Sequence, residues 1–184
     1  MTSLKKDAKI ALLRGINVGG HNRLAMSDLR DLCEQIGFGK VRTYIQSGNI
    51  LLNSDVSDSK LAEQLREELD RQLKLDVPVV VVAARELQKA VQQNPWPDRE
   101  SEALHMAVLS AKPKSKLIQA LRDSPKLNLQ GEAWECVGRF IFLDCPKGVA
   151  KSKLTNPLFE KHLEVTSTAR NWKTIHKLLE LSLA

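Results

Sequence analysis

Three short segments hold the residue types best suited to chemistry: in the first and third that chemistry is recognition of an anion, and in the second it is a hydrogen-bonding patch beside the first. The first, Arg14 to Arg23, reads RGINVGGHNR and sets two arginines and a histidine around Asn17, Gly19, Gly20 and Asn22. Guanidinium groups bind phosphate or carboxylate in a forked geometry, and glycine lets backbone N–H groups approach a ligand closely. The second segment, Tyr44 to Asn49, gathers Tyr44, Gln46, Ser47 and Asn49, all hydrogen-bonding side chains, at a turn. The third is Arg170-Asn171, to which Lys153 on the preceding loop adds a second cation. Each has a plainer reading beside it. The glycines can serve positive-φ turns while Asn17 and Asn22 bond their own backbone, and the Tyr44 to Asn49 segment can be an ordinary polar turn.

Stronger chemistries fail on residue type or spacing. Gly15, Gly19 and Gly20 approach the glycine spacing of a nucleotide P-loop, but His21 stands where the phosphate lysine belongs and Asn22 where the Mg²⁺-binding hydroxyl belongs. The dinucleotide fingerprint G-x-G-x-x-G also fails on spacing. Four dispersed histidines and three isolated cysteines, Cys33, Cys136 and Cys145, offer no paired metal-ligand spacing, so neither metal nor cofactor is expected. Cys33 falls on the apolar stripe of a helix, a poor setting for a nucleophilic thiol. No carboxylate lies in the three segments, so no general base is nominated.

The elements that must position these residues follow from hydrophobic periodicity. Lys9 to Leu13 reads as a buried strand, and the Gly-rich loop leads from it to a helix from about Ser27 to Ile36. Val41 to Gln46 and Ile50 to Asn53 read as strands flanking Ser47-Gly48-Asn49, placing Tyr44 and Gln46 on one strand face. A second helix follows Asp58 or Ser59, with Leu61, Leu65, Leu69 and Leu73 as its buried stripe, and Val79 to Ala83 closes the unit.

The second half repeats the order. A helix from Arg85 to Gln93 leads to a strand, Leu104 to Leu109, a helix from about Pro113 to Arg122, and a hairpin of Trp134–Val137 with Phe140–Asp144. Asn156-Pro157 opens another helix, and Glu164 to Ser167 supplies a short last strand. Thr168 caps a terminal helix, placing Arg170 and Asn171 in its first turn and Trp172, Ile175, Leu179 and Leu183 on one face. The expected fold is therefore α+β, a tandem duplication of ferredoxin-like βαββαβ halves over residues 1–84 and 85–184, with an extra C-terminal helix. RNA-binding sheets of this topology stack bases on aromatics of their central strands. The first half has none there, and Phe140 and Phe142 in the second read better as core.

Charge narrows the partner. The net charge of +6 is uneven: residues 1–84 carry 12 basic and 11 acidic side chains, and residues 85–184 carry 16 and 11. Such an excess attracts anions, nucleic acid included, although a solvated basic face is the plainer account. No run approaches the ~20 apolar residues that a membrane helix needs. The expectation is a cytoplasmic protein with no membrane partner.

Leu12–Asn22, Thr43–Asn49 and Thr168–Thr174, in this order and spacing, resemble the bacterial family catalogued as domain of unknown function 1697. The resemblance covers nearly the whole chain and implies a tandem ferredoxin-like fold. It implies no reaction, cofactor or catalytic residue. The family's loop often carries Lys where this chain has His21, which exchanges a permanent cation for a group mostly neutral at pH 7. The leading expectation is a binding module for an anionic ligand, a phosphate-bearing small molecule, held by the Gly-rich Arg/Asn loop. The alternatives are a nucleic-acid-binding protein using the basic second half, an enzyme on a phosphorylated or carboxylated metabolite, and an interaction scaffold with an exposed apolar sheet face.

Overall fold

Apolar residues at four-residue spacing decide the helices, and apolar runs with scarcely any alternation decide the strands. The computed structural model describes residues 8–125, 127 and 129–183. In the first half the order is β1 (Ala8–Leu13), α1 (Met26–Gln35), β2 (Gly39–Tyr44), β3 (Asn49–Asn53), α2 (Asp58–Leu73) and β4 (Val79–Ala83). These strands form one antiparallel sheet in the order β2-β3-β1-β4. After α3 (Ala84–Val91) the arrangement recurs: β5 (Leu104–Leu109), α4 (Ser115–Arg122), β6 (Ala133–Val137), β7 (Phe140–Asp144), α5 (Asn156–Leu163) and β8 (Ser167–Asn171). Their sheet order is β6-β7-β5-β8, and α6 (Trp172–Leu183) follows. The chain is thus two ferredoxin-like halves.

By contact the chain divides into two compact units. One runs to Gln88 and takes in the segment from Lys177 onward, and the other is Lys89–His176. In the first, Leu29, Leu32 and Cys33 of α1 and Leu61, Leu65 and Leu69 of α2 pack on Ala11, Leu13, Ile50, Leu52 and Val81. Full burial of each such side chain stabilises by about 1.5–3 kcal/mol before entropy is charged against it. In the second, Leu121, Phe159 and Leu163 pack on Ala107, Leu109, Ile141 and Leu143, and Trp134 lies against Phe159 at 5.9 Å between ring centroids.

The opposite face of each sheet is buried as well. Ile10, Leu12, Leu51, Val80 and Val82 are at most 3% exposed, and so are Met106, Val108 and Phe142. Burial on both faces is why these strands read VVVV and FIFL instead of alternating with polar residues. The open apolar sheet face that a scaffold would present is therefore closed at these positions.

Three local departures from the sequence reading matter for the site. β2 ends at Tyr44 because Ile45 turns into the left-handed region at φ 48°, so Gln46 does not continue the strand face of Tyr44. The last strand runs through Asn171, not Ser167, so Arg170 and Asn171 lie on a strand. Thr168 pairs with Val108 in the sheet, and the capping bond at α6 comes from Asn171, whose Oδ1 accepts from Thr174 N–H at 2.7 Å. On α6 the buried stripe is Trp172, Ile175 and Leu178, with Leu179 half-buried, and the side chain of Leu183, also expected on this face, lies outside the described residues. Smaller shifts place the N-caps one or two residues early, at Ala25, Ser57 and Thr155.

Candidate functional site

The Gly-rich segment leaves β1 as a continuation of the sheet. Leu13 N–H donates to Gly48 O at 2.8 Å and Arg14 N–H to Pro78 O at 3.0 Å. It then folds into a miniature hairpin. Val18 and His21 form an antiparallel bridge, His21 N–H donates to Val18 O at 3.0 Å, and Asn17 N–H donates to Asn22 O at 3.1 Å. At the tip Gly19 and Gly20 have φ of 58° and 81°, the pair of positive values that a type I′ turn requires and that glycine adopts without strain. The asparagines lock the base. Asn22 Nδ2 donates to Gly15 O at 2.9 Å, and Leu24 N–H donates to Asn17 Oδ1 at 2.9 Å. This geometry differs from a P-loop, in which the glycines wrap a phosphate at the start of a helix.

The β2–β3 turn is built against this hairpin. Asn49 is fully buried and its Nδ2 donates to Tyr44 O at 3.0 Å and Ser47 Oγ at 2.9 Å, so it holds the turn's shape. Gly48 sits so close to Leu13 and Ile16 that a Cβ there would lie 2.7 Å from Leu13 Cβ. Asn17 Nδ2 joins the two segments, donating to Gln46 O and to Leu24 O at 2.8 Å each. The first two sequence motifs therefore form one surface. Its exposed groups are Val18, Gly19, Gly20, His21, Asn22, Arg23, Ile45 and Gln46, with Arg14, Tyr44 and Ser47 half-buried. Val18 at 63% and Ile45 at 48% are, with Val149, the exposed large apolar side chains among the described residues.

The third motif lies in the other unit. Arg170, opposite Met106 in the sheet, donates through Nη1 to Thr168 Oγ1 at 2.9 Å and Ala169 O at 2.8 Å. Burial pulls its guanidinium down to about 10, which leaves it charged at pH 7. The basic excess of this half is partly matched internally: Lys173 pairs with Glu102 at 2.5 Å and Lys177 with Glu180 at 2.6 Å. Lys147, Lys151, Lys153 and Lys161 remain exposed.

Reading by motif passed over a cleft of about 340 Å³ beside β2, walled by Lys40 and Arg42. Its signal in the sequence is an acid-free stretch: residues 39–53 hold two cations and no carboxylate, and residues 8–25 hold three and none. Nucleophilic chemistry finds no footing at Cys33, where burial chiefly pushes the thiol up to about 12. Among the described residues no group of three His, Cys, Asp or Glu side chains is placed to hold a metal ion, and no helix is long and apolar enough to cross a membrane.

Comparison with known proteins agrees with this geometry at the level of fold. The sequence model of a family described as proteins of unknown function, DUF1697, matches residues 7–142. A solved structure, described as that of the conserved bacterial protein SP0830 from Streptococcus pneumoniae, is similar with a TM-score of 0.77 at 25% identity. The similarity covers 97% of this chain and 99% of that one. No curated protein matches the chain.

Proposed function

The chain belongs to the DUF1697 family of proteins of unknown function, and since that membership carries no activity we propose, from the geometry, a binding module for an anionic ligand. The ligand is a phosphate-bearing small molecule, and its contact surface is the joined hairpin and β2–β3 turn. The observation that carries the reading is the pair of 2.8 Å bonds from Asn17 Nδ2 to Gln46 O and Leu24 O. They hold Arg14, His21 and Arg23 beside a turn with no carboxylate in either segment. A cationic surface on a rigid base binds an anion without first ordering its own loops, which lowers the entropic cost of binding. The asparagines named by the sequence act here as framework, leaving Arg14, Arg23, His21 and the exposed glycine tip as the contact groups.

Amide chemical shifts of the full chain, followed by NMR during titration with pyrophosphate and ATP at low salt, test this. Gly19, Gly20 and Gln46 are expected to shift, and Arg14→Ala and Arg23→Ala each to weaken binding about tenfold, the effect of losing ~1.4 kcal/mol. A labelled oligonucleotide provides the second arm. Binding that survives both arginine substitutions but collapses in a Lys147/Lys151/Lys153 triple alanine variant assigns the activity to the basic second half instead. Silence at the hairpin amides with both small anions removes the proposal.

A further inference from the structure

We propose that the joined hairpin and β2–β3 turn select a phosphate monoester with an apolar body. Arg23, His21 and the glycine tip take the phosphate, and Val18 and Ile45 cover the organic group. The inference rests on the anion-binding reading above and names its ligand class. Val18 and Ile45 stand one residue either side of the Asn17–Gln46 bond, Val18 after Asn17 and Ile45 before Gln46. At 63% and 48% they are two of the three large apolar side chains so exposed among the described residues. Apolar residues scattered singly over a surface need no explanation, but two at one bond between segments do. Ile45 makes the stronger case. Its φ of 48° lies in the left-handed region, which glycine and asparagine adopt and a β-branched residue enters only as an outlier. Turn geometry therefore asks for Gly or Asn at 45, and packing does not ask for Ile, because nearly half of the residue is in water. Contact with an apolar group of a ligand accounts for both.

The polar groups lie against the tip. A Cβ at Gly19 would meet His21 Cδ2 at 3.8 Å, and one at Gly20 would meet Arg23 Nη2 at 3.9 Å, so imidazole and guanidinium sit beside the two glycines. Val18 is bridged to His21 across the hairpin, which makes an exposed apolar side chain the cross-strand neighbour of a phosphate-binding group. A phosphate at the tip thus has apolar side chains within reach of whatever it is esterified to. Residues 8–25 and 39–53 contribute no carboxylate to repel it. Pyrophosphate leaves Val18 and Ile45 in water, and a sugar hydroxyl laid against them loses its hydrogen bonds to solvent without replacement. An aryl or alkyl phosphate incurs neither loss, and each methylene equivalent covered is worth about fourfold in affinity.

Phenyl phosphate is the probe, with inorganic phosphate and pyrophosphate as anions that lack the apolar body. Each is titrated into the full chain and followed by amide and methyl shifts. Phenyl phosphate is expected to move the Gly19, Gly20 and Gln46 amides together with the Val18 and Ile45 methyls, and to bind about tenfold more tightly than inorganic phosphate. A Val18→Thr/Ile45→Asn double variant keeps β-branching at 18 and places a residue that tolerates left-handed φ at 45. Its urea midpoint is expected to hold or rise, so a loss of binding is not unfolding. It is expected to bind phenyl phosphate about tenfold more weakly than the wild type and pyrophosphate equally well. Suppose pyrophosphate shifts the hairpin amides, but phenyl phosphate binds no better than inorganic phosphate or binds both proteins alike. This inference is then overturned and the anion-binding reading stands. Silence of those amides toward all three anions removes both. Vesicles of phosphatidylcholine doped with phosphatidic acid carry the same chemistry in a lipid headgroup. Sedimentation with them, with the hairpin silent toward phenyl phosphate, overturns a soluble ester in favour of a lipid.

Discussion

Asn17 and Gln46, 29 residues apart in sequence, are joined by a 2.8 Å hydrogen bond from the asparagine amide to the glutamine carbonyl. The same asparagine exchanges two bonds with the backbone of Leu24 and holds φ at 53°. One side chain thus supplies three of the bonds that shape the candidate surface.

Replacing Asn17 by Ala is expected to destabilise the first unit by about 2–4 kcal/mol, combining three lost bonds with left-handed strain. Asn17→Gly removes the bonds but not the permitted φ, and is expected to recover about 1 kcal/mol of that loss. Urea unfolding of both variants separates the terms. Equal losses in the two would remove the strain component.

Gly48→Ala brings a Cβ to 2.7 Å from Leu13 Cβ and Ile16 Cδ1 at a φ of 73°. Overpacking and left-handed strain together predict a loss of about 3 kcal/mol or more. Gly138→Ala, at φ 63° with nothing within 4 Å, is expected to cost only about 1–2 kcal/mol. Matched thermal melts of the two variants check the contrast, and similar losses would show that the Gly48 packing relaxes freely.

Trp172→Ala tests the second unit. The indole is 8% exposed, with its ring centroid 6.0 Å from Phe142 and 5.0 Å from His176. Truncation is expected to destabilise by about 3–5 kcal/mol, as for a buried aromatic. A loss under about 1 kcal/mol would instead mark a ligand-facing ring.

Cys33 makes stability depend on alkaline pH. Its thiol is raised from 9.0 to about 12, chiefly by burial, so in that window the unfolded chain releases a proton that the folded chain keeps. The folded state therefore binds more protons, and the contribution, fully present below pH 9, is lost as pH rises toward 12. The wild type is expected to lose about 1 kcal/mol per pH unit there relative to Cys33→Ala, whose profile lacks this slope. Parallel profiles would mean that the thiol titrates normally.

Much of this protein was decided locally. Leu61, Leu65 and Leu69 on one helix face and the VVVV run of β4 fix their elements wherever they occur, and the repeated βαββαβ order then leaves few antiparallel arrangements. The glycines and asparagines of residues 14–23 likewise announced a turn that needs positive φ. What they are for was decided elsewhere. Asn17 acquires its role from Gln46, and Asn49 is a buried clamp instead of a contact group, because hydrogen-bond partners distant in sequence are set only when strands pair. Arg170 and Asn171 moved from helix to strand because β5 offered a ladder that outweighed the local capping signal of Thr168. The cleft at Lys40 left its trace only as missing acids, since the β-bulge between Gly39 and Arg42 is a mismatch between two strands and belongs to neither sequence alone.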